Sequence, residues 1–424
     1  MPTASSSSRS SPPETASRSD ADPAGGAPHH VETEVVHQGE GARGAVTPLT
    51  TPIYATSTFV FANAAELEAY QRGGSGKYIY SRYANPTVEA AEAKIAALEG
   101  AGAALVTSSG MAATATALFG LLQAGEEVIC SAAIYGGTLQ VITGFLSRFG
   151  VTSRFASLEE LANPERILGA HTRVVWFESP NNPTLRCVDI RRVADACRAA
   201  GVTSIIDNTF ASPINQRPIA FGVDLVMHSA TKYLNGHSDV TAGALAGSAA
   251  LIDRLQPARK LFGGVLEPAS AYALARGMKT LAVRMARHND TAMRVASWLE
   301  AQPRVARVFY PGLPSHPDHE IARRQMTGFG GMVTFEVNGG YDGARRLFDR
   351  LQIIRRAASL GGPESLISLP VLTSQYGLDD AQLAAAGVTR GMARLSVGLE
   401  HPDDLIADLD QALGGRELEA APSR

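Results

Sequence analysis

The stretch TSIIDNTFASPINQRPIAFGVDLVMHSATK, residues 203–232, contains two short apolar runs that each end in polar residues. Thr203–Ile206 and Asp224–Met227 carry β-branched and aliphatic side chains without a helical period, so both read as strands. Their near-continuous apolar character fits strands covered on both faces, which is the habit of parallel sheets. Asp207 and Asn208 close the first run, and Ser229, Thr231 and Lys232 follow the second.

The same alternation extends in both directions. Upstream, helix Val88–Leu98 ends at Gly100, a natural helix stop. Strand Ala103–Val106 runs into SSGMAA (108–113) and another helix. Strand Glu127–Cys130, helix Gly137–Phe149, strands Thr152–Phe155 and Arg173–Phe177 and helix Ile190–Ala200 follow. Downstream lie strand Gly243–Ala246 and a long helical region from Pro268 to about Ala301. Short buried strands interleaved with helices predict an α/β fold with a mostly parallel sheet. Strands at Val305–Phe309, Met332–Val337, Gln352–Ala357 and Arg394–Val397, with helices near 316–326, 342–351 and 402–413, predict a second, smaller α/β domain. The boundary is expected inside the long helix. Residues 31–70 mix turn signals with a β-rich stretch, Tyr54–Phe61.

Composition bounds the function. The 424 residues are 45% hydrophobic and 19% charged, with a formal net charge of -3. That length suits two packed domains. No basic stripe suggests a nucleic-acid partner, and no apolar run reaches the ~20 residues of a membrane helix. Cys130, Cys187 and Cys197 have no metal or disulfide spacing, which points to reduced thiols and a cytoplasmic location. Residues 1–30, rich in Ser, Pro and Ala, read as a disordered tail, and 416–424 as a flexible one. The GGSGK loop (73–77) fails as a phosphate-binding loop, because Gln71 and Tyr78 stand where Gly and Ser/Thr are needed. His316 and His319 flank Pro317 and lack a third ligand, so no metal is assigned.

Ligands of open parallel sheets sit beyond the carboxyl ends of the strands. Read there, the polar residues form a set: Ser108–Gly110 after the first strand, Tyr135 after the second, Asn181 and Asn182, then Asp207, then Ser229–Lys232. SSGMAA offers free N–H groups at a helix start, a site for phosphate, and Ser229 and Thr231 add hydroxyls. Asp207 can keep a pyridine nitrogen protonated, Tyr135 can stack on the ring, and Lys232 can form an imine. Singly, each has a plainer explanation: a cap, a turn former, a solvated lysine. Together, in this order, they favour one cofactor, pyridoxal 5′-phosphate (PLP).

With these residues in view, the chain resembles the Cys/Met-metabolism, or trans-sulfuration, family of PLP enzymes of fold type I, from about Thr47 to Leu413. The stretches that carry the resemblance are YSRYANPT (80–87), SSGMAA (108–113), ESPNNP (178–183), DNTF (207–210), HSATKYLNGH (228–237) and RLSVGLE (394–400). The resemblance implies a large PLP-binding domain (86–280) with a sheet of the seven-stranded type and a C-terminal domain (281–415). It implies Lys232 as the Schiff-base lysine, Asp207 as pyridinium partner and Tyr135 as stacking and catalytic residue. Gly110, Met111, Ser229 and Thr231 match phosphate-binding positions. Tyr80 and Arg82 match a pair reaching the neighbouring subunit's phosphate, so residues 31–85 form an exchanged arm and the assembly is a homotetramer. Asn182 and Arg394 match holders of the substrate carboxylate, with Ser359 adding a backbone contact.

What the resemblance implies for activity is γ-replacement or γ-elimination on small homoserine esters or sulfur amino acids. Gly137 stands where methionine γ-lyases carry a reactive cysteine. Ala358 stands where some cystathionine lyases carry a glutamate. The region 309–336 looks like cystathionine γ-synthases. The first expectation is cystathionine γ-synthase or cystathionine γ-lyase activity; O-acetylhomoserine sulfhydrylase and methionine γ-lyase are the alternatives. An aminotransferase on the same scaffold would lack HSATKYLNGH. A non-catalytic PLP-fold binding protein would lack Lys232, Asp207 or Arg394, and all three are present.

Overall fold

A computed structural model of the protein describes residues 30–40, 48–74 and 76–414. The tails expected at 1–30 and 416–424 lie outside the described residues, His30 excepted. Seven strands form the larger sheet: β1 (Ala103–Thr107), β2 (Glu127–Ser131), β3 (Thr152–Ala156), β4 (Thr172–Glu178), β5 (Thr203–Asp207), β6 (Leu225–His228) and β7 (Gly243–Gly247). Their order is β1-β7-β6-β5-β4-β2-β3. Every pair is parallel except those of β7, which runs antiparallel to both β1 and β6.

Alternating side chains serve the two faces of this sheet. Val174 and Trp176 of β4 join Val128, Ile205 and Leu225 under the helix that begins at Gly110. Val175 and Phe177 join Ile129, Ile206 and Val226 against Ile190, Val193 and Cys197 of helix Ile190–Ala200. Full burial on both sides is why these runs read as continuous apolar sequence. The preceding helix, Pro86–Glu99, starts with Asn85 accepting from the Thr87 N–H at 2.9 Å and ends at Gly100 with φ 67°.

A five-stranded sheet follows: β8 (Val305–Phe309), β9 (Met332–Val337), β10 (Arg355–Arg356), β11 (Leu366–Ser368) and β12 (Met392–Ser396), ordered β10-β11-β12-β9-β8. Only β10 and β11 pair in parallel. The sheet therefore has an antiparallel body, and its own core is built on Phe335, Leu395 and Leu409.

Several local expectations shift. The long helical region is two helices, Pro268–Met278 and Leu281–Glu300. The strand expected at Gln352–Ala357 shrinks to two residues. The N–H groups of Gln352, Ile353 and Ile354 instead donate to the Asp408 carboxylate at 2.8–2.9 Å, which takes them out of a strand ladder. The helix expected from 316 begins at His319, beyond Pro317. Helix Gly136–Gly144 passes into a tighter turn, Leu146–Phe149. Tyr54–Phe61 is irregular, with one bridge between Thr58 and Tyr80. Helices Val31–His37 and Ala64–Gln71 were not expected.

Candidate active site

The carboxyl ends of β1, β2, β4, β5 and β6 open into a cavity of about 650 Å³ that the five-stranded sheet closes from the other side. Of the residues singled out in the sequence, Gly110, Met111, Tyr135, Asn182, Asp207, Ser229, Thr231, Lys232, Ser359 and Arg394 all line it.

Ser109 begins the helix Gly110–Leu121, its hydroxyl accepting from the Ala112 N–H at 3.1 Å. The cap explanation of SSG therefore holds, and the same helix start faces the cavity through Gly110 and Met111. A Cβ at Gly110 would lie 3.0 Å from Ser229 Cβ, so glycine lets the loop after β6 close onto this helix. The Thr231 hydroxyl lines the cavity but is engaged with Ala242, donating to its carbonyl at 3.1 Å and accepting from its N–H at 2.9 Å.

Two carboxylates meet at the sheet edge. Glu178 and Asp207 stand opposite each other in the paired ends of β4 and β5. Burial pushes both carboxyl groups up in pKa, and Asp207 raises that of Glu178 further. Glu178 Oε1 accepts the Tyr135 N–H at 2.6 Å, which fixes the start of the helix that carries Tyr135. Asp207 accepts the Thr209 N–H at 3.0 Å, and the Thr209 hydroxyl accepts the Ser229 N–H at 2.8 Å. Sequence reasoning quoted Glu178 and Thr209 within motifs but gave them no role. The signal for Glu178 was a charged residue closing the apolar run Val174–Phe177.

Lys232 Nζ donates to Ser359 Oγ at 2.9 Å. Burial, and then the nearby Arg394 charge, hold the Lys232 amine below its ordinary pKa. Arg394 is 8% exposed, and burial lowers its pKa to about 10. Its Nη1 donates to Asn182 Oδ1 at 2.8 Å, while its buried Nε has no partner. An unpaired buried guanidinium nitrogen is costly unless a ligand supplies the acceptor. A carboxylate is the group that matches its fork geometry.

Tyr80 and Arg82 are not brought to this cavity. Tyr80 is 41% exposed, and Arg82 Nη1 donates to Lys260 O at 2.8 Å with its guanidinium over Tyr83. His316 and His319 form no cluster, and His319 Nδ1 lies 2.9 Å from Pro311 O. Among the described residues no group of three or more metal-ligating side chains occurs.

The donor set suits one small, anionic, ring-bearing group. A helix start and Ser229, the Asp207 carboxyl, an amine with a depressed pKa and the orphaned Arg394 nitrogen all line one cavity. These residues fit PLP with an amino-acid substrate beside it.

Comparison with known proteins agrees. The family model for Cys/Met metabolism PLP-dependent enzymes matches residues 32–414. The chloroplastic cystathionine γ-synthase 1 of Arabidopsis thaliana is 43% identical over 381 residues, covering 89% of this chain and 68% of that protein. The L-methionine γ-lyase of Pseudomonas putida is 42% identical over 383 residues, covering 90% and 96%. The crystal structure of cystathionine γ-lyase from Lactobacillus plantarum complexed with L-serine aligns with a TM-score of 0.85 at 38% identity, covering 91% and 99%. The chain belongs to the Cys/Met metabolism family of PLP-dependent enzymes, with the trans-sulfuration chemistry of sulfur amino acids that this family carries out.

Proposed function

We propose that the enzyme catalyses γ-replacement or γ-elimination on a homoserine ester or sulfur amino acid, with cystathionine γ-synthase or cystathionine γ-lyase activity as the first reading. One observation carries it: a proton-accepting amine, Lys232, shares a cavity with the unpaired Nε of Arg394. A base and a carboxylate clamp in one enclosure suit proton abstraction from the α-carbon of a bound amino acid.

In this reading Gly110, Met111, Ser229 and Thr231 hold the phosphate, Tyr135 covers the ring and Asp207 faces its nitrogen. Bound PLP supplies the electron sink for charge developing at the substrate's α-carbon. Arg394 and Asn182 hold the carboxylate, with Ser359 beside them. Lys232 takes the Cα proton and returns protons along the chain. Tyr135 protonates the leaving group or activates an incoming thiol. Residues 86–280 and 281–415 act as the two domains. The arm 31–85 delivers Tyr80 and Arg82 to a neighbouring subunit within a homotetramer. Three buried free thiols fit a reducing, cytoplasmic setting.

Two observations bear on the substrate. A Cβ at Gly137 would lie 2.6 Å from Tyr135 Cε1 and 2.8 Å from Met111 Sδ, so the cysteine typical of methionine γ-lyases would displace the Tyr135 ring and the Met111 thioether from where they lie. The wall formed by Ala358–Leu360 and Leu372–Ser374 carries no charge that would bind a distal amino group. Methionine γ-lyase activity stays the second reading because of the Pseudomonas putida relative. An activity panel decides: O-succinyl- and O-acetylhomoserine with cysteine or sulfide, then cystathionine, methionine and homocysteine alone. Thioether formation from a homoserine ester and cysteine is the expected result. Amino transfer to a 2-oxo acid, with no replacement or elimination, would overturn the proposal.

A further inference from the structure

Two ionisable side chains lie buried beside Asp207 without lining the cavity, Glu99 and His228. Glu99 is the last residue of helix Pro86–Glu99, and His228 closes β6. His228 Nε2 lies 2.5 Å from Glu99 Oε1. Asn208 Nδ2 donates to the same oxygen at 3.1 Å and to Gln216 O at 2.9 Å. Asn208 directly follows Asp207, and its N–H donates to Met227 O at 2.9 Å, one residue before His228. The cluster thus clamps the ends of β5 and β6 together.

Its placement is costly. An anion at a helix C-terminus opposes the helix dipole. Glu99 is 1% exposed, and its Oε2 makes no hydrogen bond. A buried carboxylate needs a charged partner to offset its desolvation, and a neutral imidazole would leave it uncompensated. We propose that His228 is an imidazolium held by Glu99, and that this pair keeps the Asp207 carboxylate anionic where it meets the cofactor ring nitrogen. Burial favours the neutral Asp207 carboxyl; the Thr209 hydrogen bonds, and then the charge of His228, oppose it. Asp207 faces His228 from β5, and Glu178 of β4 stands opposite Asp207, its own carboxyl pushed up in pKa by burial and by Asp207.

Glu99 and His228 touch neither cofactor nor substrate and are positioning residues. The inference rests on the assignment of Asp207 to the ring nitrogen. Glu99→Gln keeps the side chain's shape and an acceptor for Asn208, and removes the charge. In the purified holoenzyme, cofactor content should stay at the wild-type level. The pH midpoint of the visible absorbance should move up by about one unit, because a ring that holds its proton less firmly favours protonation elsewhere. One unit corresponds to about a tenfold change, so kcat should fall about tenfold while KM stays within about twofold. His228→Asn should give the same shift, and the double variant no more than either single one, since members of one relay are not additive.

An unchanged midpoint and kcat in folded Glu99→Gln would overturn the relay. Should that variant not fold, His228→Asn decides by the same two readouts. Asp207→Asn separates the two levels of the argument. Wild-type behaviour of Asp207→Asn would overturn the Asp207 assignment. A shift in Asp207→Asn with none in the Glu99 and His228 variants would overturn the relay alone.

Discussion

Lys232 and Ser359, 127 positions apart in the chain, meet side chain to side chain, with Nζ 2.9 Å from Oγ. One belongs to the loop after β6 and the other to the segment that leads towards β11, so the contact holds the reactive amine between the two sheets. Among the described residues no second lysine lines the cavity. Lys232→Ala is expected to abolish both turnover and the visible absorbance of bound cofactor. Ser359→Ala keeps the amine but releases it. A hydrogen bond to a charged group contributes about 1.5–3 kcal/mol, so kcat should fall roughly ten- to hundredfold with the absorbance retained. Full activity in Lys232→Ala would end the proposed scheme.

Arg394 should reveal itself in KM. Its Nη1 is committed to Asn182 and its Nε is unpaired, so a substrate carboxylate completes the fork. Arg394→Lys preserves charge but not the bidentate geometry. The expected outcome is a KM for the amino-acid substrate raised by roughly a hundredfold, equivalent to about 3 kcal/mol, with kcat changed much less. Steady-state kinetics at fixed cofactor saturation test this. A fall in kcat at constant KM would place Arg394 elsewhere in the reaction.

Gly137 offers a test in which stability and activity move in opposite directions. It sits in the first turn of helix Gly136–Gly144, where alanine is favoured over glycine by about 1 kcal/mol. A Cβ there would lie 2.6 Å from the Tyr135 ring. Gly137→Ala should therefore hold or raise the melting temperature while lowering kcat about a hundredfold, the low end of what one displaced proton-transfer group is worth. Unimpaired turnover would show that the Tyr135 ring is free to move or is not needed where it lies.

The sheet was legible in the sequence because its strands are buried on both faces, which leaves the apolar runs Val174–Phe177 and Ile205–Ile206 beside polar strand ends. The polar residues beyond those strands were legible for the same reason: they break the apolar pattern. Partnerships between distant segments were not. Nothing local to Ser359 says that its hydroxyl meets Lys232, and nothing local to Asp408 says that it will strip three N–H groups from the strand expected at Gln352–Ala357. Glu99 stands just before Gly100 and carries no local sign of its partner. Its pairing with His228 spans 129 positions and depends on how helix Pro86–Glu99 docks under the sheet. Tertiary contacts of this kind carry no periodicity for the sequence to display.

His288 should govern part of the acid sensitivity. It is fully buried, its Nδ1 lies 2.8 Å from Val397 O, and burial lowers its pKa to about 4. In the unfolded chain a histidine titrates near ~6.5. Between those values the unfolded state binds the extra proton, so stability is complete above about pH 6.5 and declines as pH falls towards about 4. The loss approaches about 3 kcal/mol at the acid end. His288→Asn removes this titration, so its denaturation midpoint should converge on that of the wild type as pH falls from 7 to 4. Parallel curves across that range would assign the acid sensitivity to other groups.

The proposed exchange of the arm is testable by complementation. In one chain Arg82 Nη1 is spent on Lys260 O, and neither Tyr80 nor Arg82 lines the cavity. If the pair acts in the neighbouring subunit, Arg82→Ala damages the partner's site and Lys232→Ala damages its own. Each variant alone should be nearly inactive. Co-expression from differently tagged copies changes the outcome. About half of randomly paired dimers hold one copy of each variant, and in a two-fold dimer one of their two sites combines an intact Lys232 with an intact partner Arg82. About one quarter of wild-type activity should therefore return in the mixed population, and about one half in the purified doubly tagged dimer. If Arg82 served its own chain's site, every mixed dimer would carry two damaged sites and no activity would return.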